Sequence, residues 1–249
     1  MHLSTSHLLA PLALSSLLLT QGCAPHVRDA SPSAIKKLNR NSSILLPSEI
    51  AKGKIHLTSH FLLPAQSLTE LPLSQSYSIP TVTASLNGIS LPWILDTGAS
   101  FPLIIDAPAA LATRVSLIRN ARIRSSGVGG NTDLHLGRME TFHFPPNTQA
   151  LQGGITGILL RSYHFQFAGI PLKRHPLNII GLPLLERFSY VTLDSPKHKA
   201  ILSYQIPFAP PQNAVSIPFK RKNSALWVDL HIGTKPIQAF FDTGYSSGL

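Results

Sequence analysis

The feature that most constrains this chain is an internal repeat. Sliding the sequence by 146 positions lays Val82 to Leu103 on Val228 to Leu249 without a gap. Val82 meets Val228, Leu86 meets Ile232, Asp96-Thr97-Gly98 meets Asp242-Thr243-Gly244, and Ser100 meets Ser246. Each copy reads apolar run, turn, apolar run, Asp-Thr-Gly. Each is also preceded by Ser-Ile-Pro, at 78 to 80 and at 216 to 218, with a longer spacing in the second copy. From composition, one Asp-Thr-Gly is expected on the order of a few hundredths of a time, so two in matching contexts mark a duplicated unit. Acidic residues are scarce here, 11 Asp+Glu against 21 Lys+Arg, which makes a repeated aspartate informative.

The 21 Pro and 16 Gly are spread through the 249 residues and argue against long helices, so an all-β fold of short strands is expected. With 43% hydrophobic and 13% charged residues the chain is neither disordered nor a coiled coil. Asn87-Gly88 between the apolar runs Ile79 to Leu86 and Ile89 to Leu95 is a strong hairpin signal. A second hairpin is expected from Tyr190 to Leu193, across Asp194 to His198, and back through Lys199 to Tyr204. One or two short helices are expected, Ala107 to Ala112 capped by Asp106 and Leu182 to Phe188 after Gly181.

Four segments follow. Residues 1–22 read as a signal peptide, because residues 8 to 19 are an uncharged apolar run shorter than the roughly 20 residues a membrane span needs. Residues 23–76 lack periodicity and read as a tether. Residues 77–207 read as one full domain. Residues 208–249, entered through Pro207, Pro210 and Pro211, read as a linker and the opening of a second domain. Cys23 is the only cysteine, which excludes an internal disulfide and a cysteine-rich zinc site. No histidine has ligand spacing supported by a nearby acid; His135, His143 and His164 read as ordinary strand residues, and no metal is expected. The net charge of +10 lies wholly beyond residue 22. Its scattered clusters lack aromatic interleaving and read as solvated surface, so no nucleic-acid partner is expected.

Ile94-Leu95-Asp96-Thr97-Gly98-Ala99-Ser100 resembles the active-site turn of aspartic proteases, and the domain from Tyr77 to Tyr204 resembles the retropepsin-like branch. The resemblance implies a closed-barrel lobe plus an incomplete second lobe. It implies catalytic Asp96 and Asp242, supported by Thr97, Gly98, Ser100, Thr243 and Gly244, with the threonines tying the two loops together and Ser100 bonding the outer carboxylate oxygen. Asn178-Ile179-Ile180-Gly181-Leu182 resembles the family segment that crosses behind the catalytic turn, with Gly181 its structural glycine. Ser125 to Gly130, with Gly127, Gly129 and Gly130, lies where the family keeps a flap over bound peptide. Thr20-Gln21-Gly22-Cys23 resembles a lipoprotein signal and implies lipidation of Cys23, with the protein exported to the cell envelope and anchored to the outer membrane on its periplasmic side. A plain secretory signal is the alternative.

The chemistry that the resemblance implies needs no cofactor. Two facing carboxylates hold one proton and activate a shared water against a peptide bond. Three accounts of the second aspartate stay open: an intramolecular Asp96–Asp242 dyad in a shortened two-lobed enzyme, a homodimer paired through the Asp96 loop, or a catalytically dead chain. Competing functions are a noncatalytic envelope lipoprotein that holds a peptide or an anionic envelope component, and an ATPase with Asp-x-Gly-Thr/Ser loops. The ATPase would need further phosphate and adenosine loops, which the sequence lacks. Tyr245 stands opposite Ala99 in the repeat and would crowd the loop contact.

Overall fold

The structure is a computed structural model that describes residues 27–35, 67–74, 79–127, 130–145, 148–160, 166–167, 170–171, 178–222 and 225–245. The expected signal peptide, Cys23 and Gly129 lie outside these residues. In chain order the strands are β1 (Ser67–Pro72), β2 (Thr81–Leu86), β3 (Ile89–Asp96), β4 (Leu103–Asp106), β5 (Ser116–Gly127), β6 (Gly130–Phe144), β7 (Thr148–Leu159), β8 (Gln166–Phe167), β9 (Ile170–Pro171), β10 (Ile179–Gly181), β11 (Tyr190–Asp194), β12 (Lys199–Tyr204), β13 (Phe219–Lys222), β14 (Ala225–Ile232) and β15 (Lys235–Phe240). Two short helices interrupt them, α1 (Ala107–Ala112) and α2 (Leu182–Leu185).

Strand pairing runs β2-β3-β10-β4-β7-β6 and returns to β2, so these strands close a barrel, with β5 added outside β6. Closure leaves those six strands without a free edge. The fold is the expected all-β closed-barrel lobe. A second sheet, β1-β12-β11, covers one side of it, and β13-β14-β15 form a separate sheet.

Local sequence explains the starting hairpin. Asn87 and Gly88 have φ of 50° and 82°, the left-handed pair that a two-residue turn matched to strand twist requires. Asn87 does more than turn the chain. Its Nδ2 donates to the Thr113 carbonyl at 2.8 Å, and its Oδ1 accepts from the amides of Glu140 at 2.7 Å and Thr141 at 3.1 Å. One side chain thereby joins the hairpin to β6 and to the end of α1. That helix forms where expected: Asp106 Oδ1 accepts from the Ala109 amide at 2.8 Å and caps its start.

The core is built on the barrel's inward residues. Trp93 is fully buried, and its indole N–H donates to the Ala84 carbonyl at 3.1 Å, so burial leaves no donor unpaired. Edge-to-face contacts run from Trp93 to Phe142, Phe144 and Phe188, with centroids 5.0, 5.3 and 6.0 Å apart. A second cluster of Phe101, Ile104, Ile118, Ala121, Leu134, Leu136, Ile155 and Leu159 lies apart from it.

Two expectations change, and one further stretch finds its place. Part of the expected tether is structured: β1 pairs with β12 from Ser67↔Tyr204 to Pro72↔Lys199 and buries Leu71 and Leu73. Its alternation of buried and exposed residues spans only six positions between Pro and Ser, too short to stand out in a chain rich in both. Within the expected linker, β13 pairs with β14 although all four of its residues are exposed, so no apolar pattern marks it. The stretch after Thr141, which carries no motif, completes β6 and supplies β7, the barrel strand between β4 and β6.

Replacing Asn87 with Ala leaves two amides and one carbonyl without their partner and places a Cβ-bearing residue without side-chain support at positive φ. Stability should fall by about 2–3 kcal/mol in urea unfolding. Asn87→Asp keeps both acceptor bonds and loses only the donor, so its loss should be smaller.

Candidate active site

Asp96 ends β3, and the chain turns immediately after it. What holds that turn is a strand brought from far along the sequence. β10 runs parallel to β3, with Ile179↔Ile94, Ile180↔Leu95 and Gly181↔Asp96, and antiparallel to β4. Glycine at 181 has a steric cause: a Cβ there would lie 2.8 Å from the Ala99 carbonyl oxygen and closer still to that of Phe101. The amides of Gly181 and Leu182 donate to the carbonyls of Pro102 and Ala99, each at 3.0 Å. The segment expected to pass behind the catalytic turn does so and runs directly into α2. That helix stops at Leu185, shorter than the Leu182 to Phe188 expected, with hydrogen-bonded turns closing at Arg187 and Phe188.

The second Asp-Thr-Gly meets the first. Thr243 Oγ1 accepts from the Thr97 amide and Thr97 Oγ1 accepts from the Thr243 amide, both at 3.1 Å. The same hydroxyls donate onward, Thr97 to the Phe241 carbonyl at 2.9 Å and Thr243 to the Leu95 carbonyl at 2.6 Å. Each threonine thus accepts from the partner loop's amide and donates to a carbonyl just before the partner aspartate. The glycines are required by the same approach. A Cβ on Gly98 would lie 2.5 Å from Asp242 Cγ, and one on Gly244 would lie 2.6 Å from Asp96 Oδ2.

Backbone amides orient the carboxylates. Asp96 Oδ1 accepts from Gly98 at 2.7 Å and Ala99 at 3.0 Å; Asp242 Oδ1 accepts from Gly244 at 2.8 Å. Both aspartates are half-buried, which leaves room for a water molecule to reach them. Ser100 is exposed and, among the described residues, makes no hydrogen bond to Asp96; the Ala99 amide contacts that carboxylate instead. Tyr245 is 50% exposed and turns to solvent, which relieves the crowding expected of it.

Two of the expected flap glycines lie on the β5–β6 hairpin. Gly127 and Gly130 face each other at the end of the β5–β6 hairpin. Ile123 of that hairpin and Ala99 of the Asp96 turn pack on the same apolar cluster, which connects hairpin and turn. Across the two units, Arg221 of β13 pairs with Glu186 at 3.0 Å, an ion pair missed in the sequence because neither residue stands in a motif. Among the described residues no group of three His, Cys, Asp or Glu side chains is placed to hold a metal ion.

Residues 82–159 match the family model described as aspartyl protease. Over that segment the chain is similar to the aspartyl protease family. Among solved structures, a retropepsin-like aspartic protease from Rickettsia conorii is similar at 15% identity and a TM-score of 0.38, over 56% of this chain and 93% of that one. No curated protein matches the chain.

Electrostatics distinguish Asp96 from an ordinary surface acid. Burial, then the charge of Asp242, then a hydrogen bond with Asp242 raise its pKa from 3.8 to about 7, against the opposing effect of the Gly98 and Ala99 amides. The pair therefore keeps a proton to near-neutral pH.

Gly181→Ala should prevent β10 from docking, because the colliding atoms are backbone oxygens rather than flexible side chains. A loss of at least about 3 kcal/mol in urea unfolding, or failure to fold, is expected. Thr97→Val and Thr243→Val each remove a hydroxyl that both accepts and donates. In a double-mutant cycle the two should be strongly non-additive, since either one breaks the same contact.

Proposed function

We propose that the chain is an aspartic endopeptidase in which Asp96 and Asp242 form an intramolecular dyad that hydrolyses peptide bonds in extended polypeptides. The observation that carries this reading is the reciprocal Thr97–Thr243 contact, which brings the two carboxylates within hydrogen-bonding reach. With one proton shared, the ionised member takes a proton from water as the water attacks the carbonyl carbon, while the protonated member donates to the carbonyl oxygen. The tetrahedral intermediate collapses as the amine leaves, and the departing nitrogen takes up a proton from the pair. Against pairing of two copies through the Asp96 loop stands the occupation of that loop by Thr243 of the same chain.

The reading extends to location. Residues 1–22 would direct export, and Cys23 would carry a lipid that holds the enzyme at the periplasmic side of the outer membrane. Radiolabelled palmitate should enter the full chain and not Cys23→Ser; label in neither would reject the anchor.

Cleavage of an unfolded polypeptide tests the catalytic reading. Asp96→Asn and Asp242→Asn should each lower kcat/KM by at least about 10³-fold, since either change removes one of the two proton-transferring groups. Undiminished cleavage by Asp96→Asn would reject the assignment, and cleavage lost with Asp96→Asn but retained with Asp242→Asn would favour a homodimer. The rate should fall as pH rises through about 7, because deprotonation of Asp96 removes the proton that must reach the substrate carbonyl.

A further inference from the structure

β5 is the outermost strand of the barrel sheet, and the segment that borders it comes from the chain's beginning. The Leu117 amide donates to the Arg28 carbonyl at 2.8 Å, and the Ala30 amide donates to the Leu117 carbonyl. Asp29, between them, pairs with Arg119 at 3.5 Å. The segment then turns: Ser31 Oγ accepts from the Ala34 amide at 3.2 Å and its carbonyl accepts from the Ile35 amide at 3.0 Å. Val27 packs on the main core, Ala30 is buried, and Ile35 packs on the second apolar cluster. A free tether would not place three apolar residues at three seats, whereas a docked strap does.

The docking site is where β5 departs from regular pairing. Leu117 faces Gly137 and Arg122 faces His135, so residues 118 to 121 stand opposite Leu136 alone. Asn120 has φ of 60° within this bulge, and the bulge turns Ile118 and Ala121 into the second cluster. It therefore separates the base of the β5–β6 hairpin from its outer arm, Arg122 to Gly127. The strap holds the base through Leu117, the bulge through Arg119, and through Ile35 the cluster on which Ile123 of the arm and Ala99 of the Asp96 turn both pack.

The geometry points to residues 27–35 as a positioning strap that sets the β5–β6 arm against the Asp96 turn and so aids binding of an extended peptide between them. This rests on the endopeptidase reading. Its consequence is a division of labour: the strap acts on substrate binding, while the dyad, held by β10 and Thr243, carries the chemistry. An exposed ion pair contributes little, so the backbone bonds and the apolar seats must carry the docking.

Two variants of the full chain test it. Ala30→Pro removes the amide that donates to Leu117, and Ile35→Ser weakens the apolar seat and leaves that bond intact. In both, deuterium exchange over residues 118–127 should quicken at least about fivefold while exchange over 94–98 stays as in the wild type. KM for an unfolded polypeptide should rise at least about fivefold with kcat within about twofold. Wild-type exchange over 118–127 in Ile35→Ser would overturn the strap, and so would faster exchange with an unaltered KM in an active protein. If the wild type cleaves nothing, the endopeptidase reading fails on that result, and exchange over 118–127 still decides whether the strap positions the arm. If Ala30→Pro does not fold, Ile35→Ser decides on the same measurements.

Discussion

Two carboxylates do not approach one another unaided. Like charges about 4 Å apart at a partly buried site repel by about 4 kcal/mol at an effective dielectric of 20, and desolvation adds to that. The structure meets this cost with the reciprocal bonds of Thr97 and Thr243, with amides aimed at each carboxylate, and with a proton retained between the acids. The proton ties loop contact to pH. Asp96 has a folded pKa above its unfolded value, so its contribution is fully present below about 3.8 and is lost as pH rises toward about 7. Above that range Asp96 is ionised beside Asp242, and contact between the loops is weakest.

The remainder of the lobe keeps Asp96 still. β3 lies between β2 and β10, so the strand that delivers the aspartate is bonded on both sides. Gly181 lets β10 pass beneath the turn, Trp93 seats β3 in the core, and Asn87 locks the far end of the hairpin to β6. Each of these fixes the strand that carries the carboxylate.

The second copy shows how little of this is local. β14 and β15 join through a two-residue turn, Gly233-Thr234, as β2 and β3 join through Asn87-Gly88, and both hairpins lead to the same tripeptide. Yet β2 is largely buried and β14 largely is not. Among the described residues nothing stands beside β15 as β10 stands beside β3, and Phe240 and Phe241 remain 38% and 49% exposed. The same residue pattern makes the same hairpin in both places, and its burial depends on what else the chain brings to it.

Much was legible before any coordinates. Repeats, turn residues and caps act over a few positions, so the Asn87-Gly88 hairpin, α1 behind Asp106, the hairpin at 190 to 204 and the duplication of the Asp-Thr-Gly motif could be read from residue types and spacing. β1, β13 and the docking of residues 27–35 could not, because their signals are short and their partners lie tens of residues away. Ser100 and Tyr245 show the same limit from the other side: the resemblance implied a carboxylate bond for the first, the repeat implied crowding by the second, and both are exposed. The sequence by itself determined that Asp-Thr-Gly occurs as a matched pair in a duplicated unit. Only the tertiary structure decided that the pair closes within one chain and which backbone supports it, because strand partners and burial are settled by competition among distant segments for the same surfaces.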